Sequence, residues 1–178
     1  MVITISGRPG SGKSVVASKV ARALNLSHVS AGDFMREMAA ERGVSILELS
    51  RVAESGDEID REIDARTVRL AEEGGDFVMD ARLGWHFIPD SVKVFLEVDP
   101  LVGAQRIFEA RRQSEVENVT LEQTQLAVHD RTESERKRYI DYYGVDYGDH
   151  DNYDLVIDTS KLPIDQVVEG ILAHVRNL

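Results

Sequence analysis

Gly7-Arg8-Pro9-Gly10-Ser11-Gly12-Lys13-Ser14 follows a short β-rich run, Val2 to Ser6, and precedes apolar residues at helical spacing, Val16, Ala17, Val20, Ala21 and Leu24. The octapeptide fits the GxxxxGK[ST] pattern, and a strand that turns through such a loop into a helix admits few folds other than an α/β sheet domain. Glycine reaches unusual backbone angles and allows close approach, so Gly7, Gly10, Ser11 and Gly12 are expected to turn their N–H groups inward on phosphate oxygens. Lys13 is expected to reach the β and γ phosphates and the Ser14 hydroxyl to take a position on Mg²⁺, with the helix N-terminus favouring the anion. A glycine-rich turn that merely caps a helix would not need this placement.

The remaining pattern alternates strands with helices. His28-Val29-Ser30 reads as a second strand, and Gly32-Asp33 as the capped start of a helix to Arg42. Two further helices are expected, Ser45 to Glu54 and one with Ile59, Ile63, Thr67 and Leu70 on one face that stops at Gly74-Gly75. Phe77 to Met79, Val92 to Val98 and Tyr153 to Ile157 are apolar runs suited to buried parallel strands. Helices are expected at Pro100 to Arg112, Leu121 to Tyr143 and Pro163 to Val175, with a polar break from Ser114 to Thr120. The 178 residues therefore read as one α/β domain with a parallel core sheet of about five strands, flanked by helices and joined by right-handed crossovers.

Composition narrows the partners. With 21 Lys plus Arg against 32 Asp plus Glu the formal charge is −11, which repels nucleic acid and anionic lipid; a polyanionic ligand needs a locally basic pocket. The chain has no Cys, which removes disulfides, thiolate metal sites and thiol nucleophiles. No apolar stretch near the N-terminus is long enough for a signal peptide or membrane span, so a cytoplasmic protein is expected, monomeric or weakly self-associating.

The loop implies nucleotide binding but not a reaction, so the basic residues elsewhere must supply either an acceptor site or a switch. Arg36 follows the second strand and Arg82 the third, at the end where open α/β sheets bind ligands. Arg131, Glu135, Arg138 and Tyr142 share a helix face; two guanidinium groups so placed can bracket a transferring phosphoryl group, or simply stitch an exposed helix. Asp80 ends the third strand and is the candidate to orient Mg²⁺-bound water, whereas Asp99-Pro100 reads as a helix cap. The five Tyr lie between Tyr139 and Tyr153 among acidic neighbours, which favours packing over base stacking.

Six stretches together resemble the archaeal-type cytidylate kinase family of nucleoside monophosphate kinases: ITISGRPGSGKS, HVSAGDFMREMA, EIDREID, ARLG, RTESERKRYIDYYG and YDLVIDTS. The resemblance covers nearly the whole chain. It implies a P-loop kinase fold with a helical acceptor-binding insertion at about 30–75 and a lid at about 111–138, ATP as donor, and CMP or dCMP as acceptor. Carried residue by residue, it implies that Lys13 and Ser14 serve ATP and Mg²⁺, that Ser30, Arg36 and Arg82 serve the acceptor, and that Arg131, Glu135 and Arg138 are the lid set, the acid near the acceptor sugar. Asp60 and Asp64, four apart on one helical face, are candidates for the acceptor base or ribose, or for a solvated face. Leu83 stands where the bacterial branch carries a base-reading Asp, Ala81 where Gly is usual, and Val15 where Thr is common. A kinase for AMP, UMP or a small alcohol, and a non-catalytic nucleotide switch, are the open alternatives.

Overall fold

The computed structural model describes residues 1–110 and 120–178. Strand β1, Val2–Gly7, is buried along nearly its whole length and leads through the glycine loop into α1, Lys13–Leu24. The chain continues as β2 (Ser27–Ser30), α2 (Ala31–Arg42), α3 (Ile46–Ser55), α4 (Glu58–Glu73), β3 (Phe77–Asp80), α5 (Gly84–Phe87), β4 (Val92–Glu97) and α6 (Pro100–Ala110). After Thr120 come α7 (Leu121–Tyr143), a single 3₁₀ turn at His150–Asn152, β5 (Leu155–Asp158) and α8 (Ile164–Arg176).

The sheet order is β2-β3-β1-β4-β5 and every pairing is parallel, as the apolar runs predict. The chain winds to one side of β1 with β2 and β3 and then crosses to β4 and β5. β1 therefore ends at the switch point, the place where open parallel sheets leave a crevice at their carboxyl edge. Register fixes what lies there: Ile5 is level with Asp80, Gly7 with Leu96, and Ser30 with Asp80.

On one face Ile3, Ile5, Val94 and Leu96 pack against Val16 and Val20 of α1 and Ile171 of α8. On the other, Phe77 and Met79 meet Ile88, Phe34 and Leu70, and an aromatic cluster of Trp85, Phe95 and Tyr147 lies beneath Tyr139 and Tyr143 of α7. Helices α2, α3 and α4 bury Met38, Leu49, Ala53 and Ile59 among themselves, a small core of their own. That makes them a semi-independent body beside the sheet edge.

The expected helices and strands are present, with shifts that have local causes. Ser30, not Gly32 or Asp33, caps α2: its hydroxyl accepts from the Asp33 N–H at 3.1 Å. β5 begins at Leu155 rather than Tyr153, because the Tyr153 side chain turns into the aromatic cluster and donates to the Tyr147 carbonyl at 2.7 Å. α5 has no counterpart in the sequence expectation, since four residues are too few for a period to register. Asp99 caps α6 through the Leu101 and Val102 N–H groups, as its pairing with Pro100 suggests. The expected helix end at Arg112 and nearly all of the polar break from Ser114 lie outside the described residues, as does the first part of the expected lid.

Candidate active site

The glycine loop is held down from beneath. Gly10 has φ 77°, and a Cβ there would stand 2.3 Å from the Gly103 carbonyl oxygen; a Cβ on Gly103 would stand 2.6 Å from the Pro9 oxygen. Loop and α6 thus meet backbone to backbone, which two glycines alone allow. Arg106, one turn further along α6, donates to the Gly10 carbonyl at 3.4 Å and to the Thr159 carbonyl at 2.7 Å, joining the loop to the end of β5. Arg8 points the other way, into a 2.6 Å ion pair with Glu97.

Gly12, with φ 87°, precedes α1, and no side chain caps that helix. The first-turn N–H groups are therefore left for a ligand, as at anion sites generally. The Ser11 hydroxyl is buried and has no partner among the described residues, although burial of an unpaired hydroxyl is costly. Lys13 curls back so that Nζ donates to the carbonyls of Gly7 and Arg8, at 3.1 and 3.5 Å. Burial, and then the nearby Arg82 guanidinium, push the Lys13 ammonium down to about 7. An uncapped helix start, an orphaned hydroxyl and a cation without a carboxylate of its own fit a polyphosphate.

Next to the loop the Ser14 hydroxyl donates to Oδ2 of Asp80 at 2.5 Å, so the hydroxyl and carboxylate expected around a magnesium ion are side by side. Among the described residues no group of three or more His, Asp or Glu is arranged to hold a metal, so an ion here would depend on phosphate oxygens for the rest of its shell.

Arg82 leaves the end of β3 and is nearly buried. Its Nη1 donates to the Gly7 carbonyl at 3.0 Å, its Nε to Glu135 at 2.7 Å, and its guanidinium lies over the Tyr147 ring, 5.6 Å from the centroid. The other Glu135 oxygen accepts from Arg131 Nε at 2.9 Å. Burial by itself would raise the Glu135 carboxyl, but the two arginines outweigh it and hold it at about 2. Arg138, one turn on, pairs with Asp60 of α4 at 3.1 Å. Glu135 and Arg138 are therefore turned inward onto the end of β3 and onto α4, whereas Arg131 stays exposed and pairs along its own helix with Glu135.

Asp60 and Asp64 are likewise turned inward. With Ile63, Thr67, Leu83 and Tyr139 they line a cleft of about 70 Å³ between α4, the end of β3 and α7. Ser30 and Arg36 stand apart from this cluster: Ser30 Oγ donates to Asp33 at 2.9 Å, and Arg36 reaches the same carboxylate from an exposed position on α2. Ser30 nevertheless starts α2 at the register level of Asp80, on the carboxyl edge that carries the rest of the site. Tyr142 is exposed.

Several residues escaped the sequence reading. Gly103, in mid-helix where glycine costs about 1 kcal/mol relative to alanine, was a visible signal of close approach. Arg106, Glu97 and Tyr143 gave none, because their partners are 53 or more residues away or, for Tyr143, 79.

Residues 2–161 match the model of the cytidylate kinase-like family. The chain is 38% identical over 177 residues to a cytidylate kinase of Haloquadratum walsbyi, covering 98% of this chain and 89% of that one. It is 42% identical over 161 residues to a cytidylate kinase of Methanothermobacter thermautotrophicus, covering 90% and 96%. A cytidylate kinase of Methanocaldococcus jannaschii is 39% identical over 183 aligned positions, covering 100% of this chain and 99% of that one. Among solved structures, a shikimate kinase from Bacteroides thetaiotaomicron superposes with a TM-score of 0.68 at 18% identity, covering 99% and 98%, a likeness of fold.

Proposed function

The chain belongs to the cytidylate kinase-like family, and from that premise we propose how it transfers the γ-phosphoryl group of ATP to CMP or dCMP, giving CDP or dCDP. One observation carries the assignment of roles: Lys13 of the donor loop and Arg82 of the acceptor side donate to the same carbonyl oxygen, that of Gly7. Two cations that share one carbonyl oxygen support a meeting point of donor and acceptor phosphates there.

Gly7, Gly10, Ser11, Gly12 and Lys13 bind the ATP phosphates, Lys13 exchanging two loop carbonyls for phosphate oxygens. Mg²⁺, held by Ser14 and Asp80 besides the nucleotide, neutralises phosphate charge when bound. Ser30, Arg36 and Arg82 hold the acceptor phosphate. Arg131 and Arg138 neutralise the group in transit, and Glu135, expected near the acceptor sugar, first fixes Arg82 and Arg131. Asp60 and Asp64 face the acceptor base. No side chain need act as a general base, because the attacking phosphate oxygen already carries negative charge near neutral pH. Catalysis then rests on alignment and charge neutralisation.

In this reading residues 30–75 form the acceptor-binding insertion and residues 111–138 the lid of one kinase domain. Among the described residues no helix is long and apolar enough to cross a membrane. Small nucleotides as the only substrates, a cytoplasmic setting and a monomer or weak oligomer belong to the same proposal.

The test is a coupled ADP-release assay at saturating Mg·ATP with CMP, dCMP, UMP, AMP and shikimate. CMP and dCMP should exceed AMP by at least about a hundredfold in kcat/KM, since a pocket that hydrogen-bonds a pyrimidine leaves buried groups unpaired beside a purine. Comparable values for AMP and CMP would overturn the base selectivity; turnover with none of the five would favour a nucleotide switch.

A further inference from the structure

The cleft lined by Arg82 and Asp64 carries, at Asp64, a contact that the roles above do not use. Tyr143, from the last turn of α7, donates its hydroxyl hydrogen to Oδ2 of Asp64 on α4. The Tyr143 ring is itself fixed, edge-on to Phe87 at 5.5 Å and beside His86 at 5.9 Å. Oδ1 of Asp64 has no partner among the described residues, although Asp64 lines the cleft. Asp60, one turn earlier, differs in its partner, because its Oδ2 accepts from the Arg138 guanidinium. Of the two acids, Asp64 is the one whose bound oxygen faces a neutral hydroxyl and not a cation.

We propose that Tyr143 is a positioning residue for acceptor choice, which by occupying Oδ2 of Asp64 leaves Oδ1 to accept a hydrogen bond from the exocyclic amino group of the acceptor base. This deepens the kinase reading and rests on it. Ionised Asp64 can only accept, which suits the N4 amino group of cytosine; protonated Asp64 can donate, which suits the O4 carbonyl of uracil. The base preferred by the cleft thus depends on the charge of one carboxyl.

That carboxyl titrates in a usable range. Burial pushes Asp64 up to about 6, opposed by the Tyr143 hydrogen bond and reinforced by the charge of Asp60. The other charged or titratable groups around the pair are Arg138 and Tyr139 on α7, Arg82 after β3, Arg61 on α4 and His86 on α5. Arg138 and Arg82 are occupied by Asp60 and Glu135. His86, which burial pushes down from its ordinary value, and Asp60, which burial pushes up, are the neighbours that could mimic the effect.

The experiment is the ratio of kcat/KM for CMP to that for UMP from pH 5 to pH 8. Taking the ratio cancels the ionisation of the acceptor phosphate, whose pKa of about 6 would otherwise dominate the profile. In the wild type the ratio should fall about tenfold or more as pH drops through about 6, the range of the Asp64 carboxyl. Tyr143→Phe keeps the ring and removes the hydroxyl; the acid limb of the ratio should move to higher pH, and the loss on CMP should lie in its KM more than in kcat, with the KM of ATP unmoved. Asp64→Asn should give a ratio that is low and flat with pH. A flat wild-type ratio, a Tyr143→Phe profile that superposes on the wild type, or a pH dependence that survives in Asp64→Asn and so belongs to His86 or Asp60, would each overturn the inference while leaving CMP phosphorylation intact. Wild-type enzyme that turns over neither CMP nor UMP would instead overturn the functional reading beneath it. Circular dichroism melts of both variants identify any loss due to unfolding, and Asp64→Glu, which restores a carboxylate, should recover the pH dependence if the side chain and not the fold is responsible.

Discussion

Lys13 is held at a cost to the free protein. Among the described residues its ammonium has only the Gly7 and Arg8 carbonyls as hydrogen-bond partners, and burial and Arg82 both disfavour its charge. A lysine whose folded value, about 7, lies below its ordinary value of 10.5 destabilises the fold fully below about pH 7, and the effect vanishes above 10.5. Lys13→Ala is therefore expected to abolish transfer while keeping or raising the melting temperature, with the gain larger at pH 6 than at pH 10. Thermal melts and single-turnover transfer measure the two halves. Retention of more than about a tenth of the transfer rate would count against the role given to Lys13, since one such charge should be worth a few kcal/mol of barrier. At this scale the glycine loop was fully legible in the sequence, because a run of eight residues carries its own geometry. The partners of Arg8 and Arg138 were not, because a guanidinium takes whichever carboxylate the fold brings within reach.

Among the elements, α6 governs the donor loop by contact rather than by chemistry. Gly103 accepts the Pro9 carbonyl against its own backbone, and Val98 Cγ1 also lies 3.2 Å from the position of a Cβ there. Gly103→Ala would improve helix propensity by about 1 kcal/mol in isolation. Here it is expected to lower stability by about 1–3 kcal/mol through overpacking, and to weaken ATP binding because the loop must lift. Urea unfolding and ATP titration test both; a more stable variant with unchanged ATP affinity would show that the loop yields freely. Helix α7 was legible from Leu121 to Tyr143 in its length and its ends, since Thr120 and Gly144 supply the cap and stop. Which face it buries was not, because Arg131, Glu135 and Arg138 read equally as a solvated ion-pair ladder until β3 and α4 stand opposite them.

For the molecule as a whole, Glu135 joins the sheet to α7. It accepts from Arg82 at the end of β3 and from Arg131 on its own helix, and both Arg82 and Glu135 are largely shielded from solvent. Its value of about 2 lies below the ordinary 4.5, so the stability it contributes is present above about pH 4.5 and is lost as pH falls through 2. Glu135→Gln is expected to cost about 3 kcal/mol at pH 7, since it leaves buried guanidinium charge without its counterion. The difference from wild type should shrink as pH falls from 4.5 toward 2. Chemical denaturation across that range checks the sign; a gap that is constant with pH would mean that the carboxylate's charge plays no part.

What the sequence determined by itself is whatever short-range physics dictates. Strand, glycine loop and helix at the start, the order of alternating elements, and the parallel sheet all follow from periodicity and turn residues within a few positions of one another. The presence of cations at strand ends could also be read, because Arg82 directly follows a strand whose apolar character is plain. Tertiary structure decided everything that depends on which distant charges meet: Asp60 with Arg138 across 78 positions, Arg82 with Glu135 across 53, and Tyr143 with Asp64 across 79. A charged side chain has a preference for its opposite but none for a particular partner, so local sequence leaves these pairs degenerate. The sheet register and the packing of α7 over the aromatic cluster remove the degeneracy, and with it they define the cleft between α4 and β3.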